Sequence, residues 1–206
     1  MMITVDTWKK MLSSAADLMT QNIELLTKID SEIGDGDHGI TVGKIAQCIL
    51  KNVESCSGDA AALFDGISMS ILSTPGGSAC PLYGTFFGGF SVPAASGDVD
   101  VDRMKEMILG GFAELDDVSG AKVGDKTMMD ALIPAAQALK EAEGTPAEVL
   151  RKAADAAKAG AEATKDFVSK FGRAKSYKER TLGHMDPGAV SMSLIFEGFA
   201  RALETL

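Results

Sequence analysis

Apolar residues recur along the chain at spacings of three and four, which gathers them onto one face of a helix. Trp8, Met11, Leu12, Ala15, Leu18, Met19, Leu25, Leu26 and Ile29 make the first such stripe and predict one long helix. A second stripe is Val42, Ile45, Ile49 and Val53, and a third is Leu63, Phe64, Ile67, Ile71 and Leu72. The fourth is Leu82, Phe86, Phe87 and Phe90, and the fifth Met104, Met107, Ile108, Phe112 and Leu115. A sixth runs from Met128 through Leu132 to Leu139, with Pro134 marking a kink or a late start. Thr145, Pro146 and Glu148 spell a capping box with proline at the first helical position. It opens an alanine-rich seventh helix reaching toward Phe167 and Val168. Asp186 and Pro187 repeat the cap-then-proline signal before an eighth stripe, Val190, Leu194, Ile195, Phe199 and Leu203.

No segment alternates as a half-buried strand would, so the fold class predicted is all-α. Short connections and helix faces rich in alanine and glycine predict an eight-helix antiparallel up-and-down bundle or closed barrel. At 206 residues the chain is long enough for one sizeable core, and residues 1–206 are expected to form a single domain.

The connections differ in character according to their order. The first helix is followed by Asp30, Gly34, Asp35, Gly36, Asp37, His38 and Gly39, and the third by Thr74, Pro75, Gly76, Gly77, Ser78 and Ala79. Gly120, Gly124, Asp125, Lys126 and Thr127 follow the fifth, and Gly172, Arg173 and Gly183 to Gly188 the seventh. Those near Ser57, Ser96 and Gly144 are bland. In an up-and-down bundle all loops after odd-numbered helices lie at one end, so the four unusual loops are expected to converge. Glycine and aspartate are also ordinary turn residues; four such loops at one end carry more than any one of them.

Charge narrows the partners. A formal net charge of −9 and a pI near 4.7 oppose binding to nucleic acid, which needs a basic surface. No apolar run reaches spanning length and the N-terminal residues lack a signal-peptide layout, which excludes a membrane segment and predicts a cytoplasmic protein. Cys48, Cys56 and Cys80 are odd in number and unpaired in spacing, as free thiols would be.

Asp30, Asp35 and Asp37 bring three carboxylates close together in the chain, with Gly34 and Gly36 allowing them to converge. Such a cluster repels itself unless a cation neutralises it, and all-oxygen ligation favours Mg²⁺ over zinc. The alternative is a solvated acidic turn. Gly76 to Ala79 precede a helix start, where free N–H groups suit a phosphate. Lys126 and Arg173 are the cations available to the converging loops, or else solvated surface charges; a guanidinium could stabilise a transferring phosphoryl group. His38 and His184 both fall in these loops, as hydrogen-bonding residues or as a general base or phosphohistidine. No Walker A or protein-kinase signature is present, so a nucleotide site here would be built differently.

The run Gly34-Asp35-Gly36-Asp37-His38-Gly39 resembles the L subunits of dihydroxyacetone kinases. The similarity continues through Gly76-Gly77, Pro81-Leu82-Tyr83-Gly84-Thr85-Phe86-Phe87, Gly124-Asp125-Lys126-Thr127-Met128 and Gly183-His184-Met185-Asp186-Pro187-Gly188-Ala189, and so covers essentially the whole chain. The resemblance implies an eight-helix barrel with ADP or ATP at one end, its phosphates bridged by two Mg²⁺ ions on Asp30, Asp35 and Asp37. By the same resemblance the nucleotide contacts fall to His38, Gly39, Ile40, Thr41, Ser78, Ala79, Gly120, Met128, Arg173, Asp186, Pro187 and Gly188. Met128 would pack the adenine, and Arg173 would be the catalytic residue. The chain departs from the family at Thr41, where asparagine is common, and at Ala79 and Cys80, where serine and glycine are.

In this family the acceptor, dihydroxyacetone, is held covalently by a separate K subunit. ADP is recharged by a phosphohistidine protein of the phosphoenolpyruvate phosphotransferase system in one regime, and ATP exchanges freely in the other. The first is the expectation here. Alternatives are an ATP-dependent L subunit for erythrulose or another short ketose, a regulatory module reporting to a transcription regulator, and a metal-dependent phosphohydrolase. A homodimer is compatible with each.

Overall fold

A computed structural model describes residues 1–94 and 97–206. Its helices are α1 (Val5–Gln21), α2 (Ile23–Ile33), α3 (His38–Ser55), α4 (Ala60–Leu72), α5 (Ala79–Gly88), α6 (Val101–Ser119), α7 (Met129–Glu141), α8 (Pro146–Ala163) and α9 (Pro187–Glu204). Two 3₁₀ segments, Thr164–Asp166 and Arg173–Thr181, lie between α8 and α9. The only extended pairing among the described residues is an isolated bridge between Ile3 and Val99. The connection expected near Ser96 lies outside the described residues.

The long first helix of the sequence reading is two helices. Asn22 breaks it with φ −105° and ψ 12°, and its side-chain amide donates to the Leu18 carbonyl at 2.8 Å. An asparagine that bonds its own preceding turn competes with the helical ladder. Counted with α1 and α2 as one broken rod, the other seven helices match the seven remaining stripes.

Helices consecutive in the chain pack against each other around a ring, and α9 returns against α1 to close it. The interior is filled by one continuous cluster, in which the Trp8 ring meets Phe64, Phe90 and Phe199 edge-on. No described helix is long and apolar enough to cross a membrane, and the three cysteines are unpaired.

Helix α7 begins at Met129 and continues past Pro134, where a kink or late start is the sequence expectation, so the start is not late. Proline lacks the N–H that would bond the carbonyl four residues back, which is Asp130's. That carbonyl faces Gly160 of α8 so closely that any Cβ there would collide with it. The proline and the glycine together let α7 and α8 pack backbone to backbone. The capping box of Thr145 and Glu148 opens α8 as expected. Its α-helical course ends at Ala163, and Phe167 and Val168 lie past the 3₁₀ turn that follows.

Candidate functional site

Caps sort the helices by end. Those that start at the far end all have a side-chain cap, from Thr4 in α1, Asp59 in α4, Asp100 in α6 and Thr145 in α8. At the other end, Asp37 and Ser78 make no cap bond at the starts of α3 and α5. Met128 offers none to α7, where Thr127 Oγ1 accepts the Met129 N–H instead. Only α9 is capped from its N-cap residue, by Asp186 Oδ2 accepting the Ala189 N–H at 2.7 Å. Uncapped first turns keep backbone N–H groups free and present the positive end of the helix dipole.

These starts border a cavity of about 400 Å³ to which all four unusual loops contribute, as the up-and-down topology predicts. Asp30, Asp35, Asp37 and His38 form one wall, and Gly77, Ser78 and Ala79 a second. Ser119, Ala121, Thr127 and Met128 make a third, with Phe171, Gly172, Arg173, Asp186, Pro187 and Gly188 opposite.

The three aspartates each offer a carboxylate oxygen within 4.8 Å of the others. Asp30 is buried at the C-terminal turn of α2, and its Oδ2 accepts the His38 N–H at 3.1 Å, tying the loop's end to its beginning. A side chain at Gly34 would collide with the Asp30 carboxylate, so the chain can turn over it only as glycine. Asp35 and Asp37 are exposed to the cavity, and Asp35 pairs with the guanidinium of Arg173. The cluster thus already draws a positive charge, as converging carboxylates do.

Of the residues that the sequence singles out, Asp30, Asp35, Asp37, His38, Thr41, Ser78, Ala79, Met128, Arg173, Asp186, Pro187 and Gly188 line this cavity. Gly39, Ile40 and Gly120 do not form its wall. Gly39 is buried where α3 presses on α2, and a Cβ there would collide with Thr27 and the Ile23 carbonyl. Ile40 points outward with 57% of its surface exposed, and Gly120 caps α6 at φ 63° between the lining residues Ser119 and Ala121.

Lys126 departs from both readings of it, as a loop cation for phosphate and as a solvated charge. It is 1% exposed, and its ammonium donates to the carbonyls of Thr164, Thr181 and His184 at 2.6, 2.7 and 2.5 Å, with Phe167 at 3.2 Å. Both histidines are engaged as loop residues. His38 Nε2 lies 2.9 Å from Ser191 Oγ, which is itself 2.7 Å from the buried Tyr83 hydroxyl. Burial lowers the His38 pKa against the pull of Asp30, favouring a neutral ring. His184 Nδ1 meets Glu32 at 2.8 Å. Asp186 is pushed up to about 7, first by burial and then by Asp130 and Asp30, against the Ala189 N–H and Lys126.

Sequence reasoning passed over Asp130, Ser191, Ser119, Ala121 and Phe171. Asp130 has a legible signal: one carboxylate, 1% exposed, accepts the N–H of Gly124 at 2.6 Å and of Thr127 at 2.7 Å and so shapes that loop. Ser191 is buried a turn inside α9, and the others lie at a helix end or in irregular segments, where no periodicity marks them.

A helical barrel with clustered carboxylates, open helix starts and an arginine at one mouth defines a protein suited to a polyanion held together with hard cations. The chain belongs to the DAK2 domain family, whose model matches residues 32–201. It is 36% identical over 203 residues to the ADP-binding subunit DhaL of PEP-dependent dihydroxyacetone kinase 2 from Listeria innocua, covering 93% of this chain and 94% of that protein. It is 29% identical to the corresponding Escherichia coli subunit, covering 93% of each. Triokinase/FMN cyclase of Mus musculus is 34% identical, matching 88% of this chain but 32% of that protein. Among solved structures, the dihydroxyacetone kinase of C. freundii in complex with AMP-PNP and Mg²⁺ superposes with a TM-score of 0.72 at 27% identity, over 94% of this chain and 33% of that one.

Proposed function

We propose that this protein is the nucleotide-binding subunit of a cytoplasmic dihydroxyacetone kinase, which holds Mg-ADP, receives a phosphoryl group and passes it to a ketose on a partner subunit. The observation that carries this is the carboxylate cluster facing uncapped helix starts across one cavity. Asp30, Asp35 and Asp37, each with a carboxylate oxygen to offer, would hold Mg²⁺ as a pair of ions whose remaining ligands are phosphate and water oxygens. Bound there, Mg²⁺ neutralises the phosphate oxygens and makes the terminal phosphorus a better electrophile. The free N–H groups of Ser78 and Ala79 cradle the phosphates, Met128 packs the base, and the neutral His38 ring, fixed by Ser191, borders them. Arg173, paired with Asp35 at the edge of the cluster, would place its guanidinium by the transferring group, where charge is spread over three oxygens.

The acceptor is brought by a K subunit and the phosphoryl group by a phosphohistidine donor of the phosphotransferase system. The similarity to ADP-binding subunits of PEP-dependent dihydroxyacetone kinases, at 36% and 29% identity, supports this reading. The test is calorimetry of ADP binding with and without Mg²⁺. Asp35→Asn and Asp37→Asn should each weaken Mg-dependent binding at least tenfold with helical circular dichroism unchanged. Wild-type affinity in both variants would sink the assignment.

A further inference from the structure

The chain makes its longest excursion between α8 and α9, and Arg173 rides at its tip. Its outgoing limb contributes the carbonyls of Thr164 and Phe167 to Lys126, and its returning limb those of Thr181 and His184. An ammonium has three N–H groups, so four carbonyls leave none for a ligand. Asp186, Asp130 and Asp166 favour the charged form against the burial that disfavours it. The limbs also join directly, through the Gly183 N–H on the Lys165 carbonyl at 2.8 Å and the Ser169 N–H on Thr181 Oγ1 at 3.1 Å. Beyond this closed base, the polar contact from residues 172–180 to the barrel among the described residues is that of Arg173 with Asp35.

We infer that Lys126 is a positioning residue for phosphoryl transfer: its ammonium pins both limbs of the excursion and thereby holds Arg173 over the carboxylate cluster. It acts through the backbone it gathers, since its ammonium has no N–H left for a nucleotide. Its left-handed φ of 62° fits this part: the residue borders the cavity, and the loop that Asp130 shapes sends its ammonium onto the carbonyls of the base. The activity arm of the test rests on the kinase reading above, and the exchange arm does not.

Hydrogen exchange of the nucleotide-free protein should show amides of residues 165–184 exchanging at least tenfold faster in Lys126→Met, with those of α1 to α9 unchanged. Unaltered exchange in the excursion would overturn the proposal. In transfer assays with a K subunit and phosphoryl donor, Lys126→Met and Arg173→Ala should each lose tenfold or more. The double variant should fall within twofold of the weaker single one, because the two losses remove the same placement of Arg173. Losses that multiply would overturn it, since Lys126 would then act independently. A wild type with no transfer under any donor would refute the kinase reading while the exchange result still decides the role of Lys126. Should Lys126→Met not fold, Lys126→Gln, whose amide has only two N–H groups for the four carbonyls, enters both measurements in its place, with the same outcomes required.

Discussion

Asp186 is a single residue asked to do two things, to cap α9 and to stand beside the cavity among like charges. Its folded pKa near 7 lies above the ordinary 3.8, so between these values the folded protein keeps a proton that the unfolded chain has lost. Stability from this group therefore falls as pH rises through that window and levels off above it. The ceiling is roughly 4 kcal/mol, lowered by the side chain's partial access to the cavity. Asp186→Asn keeps an N-cap acceptor and removes the ionisation. Calorimetric melting in chelator at pH 5 and pH 8 should show the wild type losing ground to the variant at the higher pH; identical pH dependence would remove Asp186 from this role. At this scale the sequence was legible where chemistry is local. Asp30, Asp35 and Asp37 converge because two glycines and eight positions leave them little choice. Lys126 was not legible, because its four carbonyls lie 38 to 58 positions away and carry no side-chain signature.

Elements were legible through periodicity, and failed where a side chain or a neighbour overrode it. The apolar stripe runs unbroken across Asn22, and only the asparagine's own hydrogen bond to Leu18 divides α1 from α2. Pro134 reads as a helix breaker until Gly160 is seen opposite the carbonyl that it leaves free. That contact predicts an inversion of the usual helix preference. Gly160→Ala should gain up to about 1 kcal/mol in intrinsic propensity yet destabilise the protein by about 1 to 3 kcal/mol net, because the collision is with backbone. The strain should reach the site, since Asp130 also shapes the Gly124–Thr127 turn. In contrast, Gly43→Ala meets only the end of the Ile23 side chain, at 2.8 Å, and should be neutral within about 0.5 kcal/mol. Urea unfolding of both variants decides it; equal effects would mean that the α7 to α8 contact is not the constraint.

For the molecule as a whole, topology turns scattered loops into one site: closing an up-and-down ring puts every second connection at the same mouth. What that mouth contains is as informative as what it lacks among the described residues. Carboxylates, helix starts and Arg173 are groups suited to a phosphate and its cations, while neither histidine is spare for a sugar adduct, His38 being tied to Ser191 and His184 to Glu32. The mouth should therefore present its phosphate to a docked partner, aligned with the hydroxyl that attacks. The expected outcome is that the protein with Mg-ATP and dihydroxyacetone makes no more sugar phosphate than buffer. Activity should appear when a K subunit is added together with ADP and a phosphohistidine donor, with turnover set by the donor and not by ATP. Sugar phosphate in the first mixture, followed by coupled assay, would overturn the partner requirement. Full activity with ATP and K subunit alone would replace resident ADP by exchangeable ATP, and would place the chain with the ATP-dependent kinases instead.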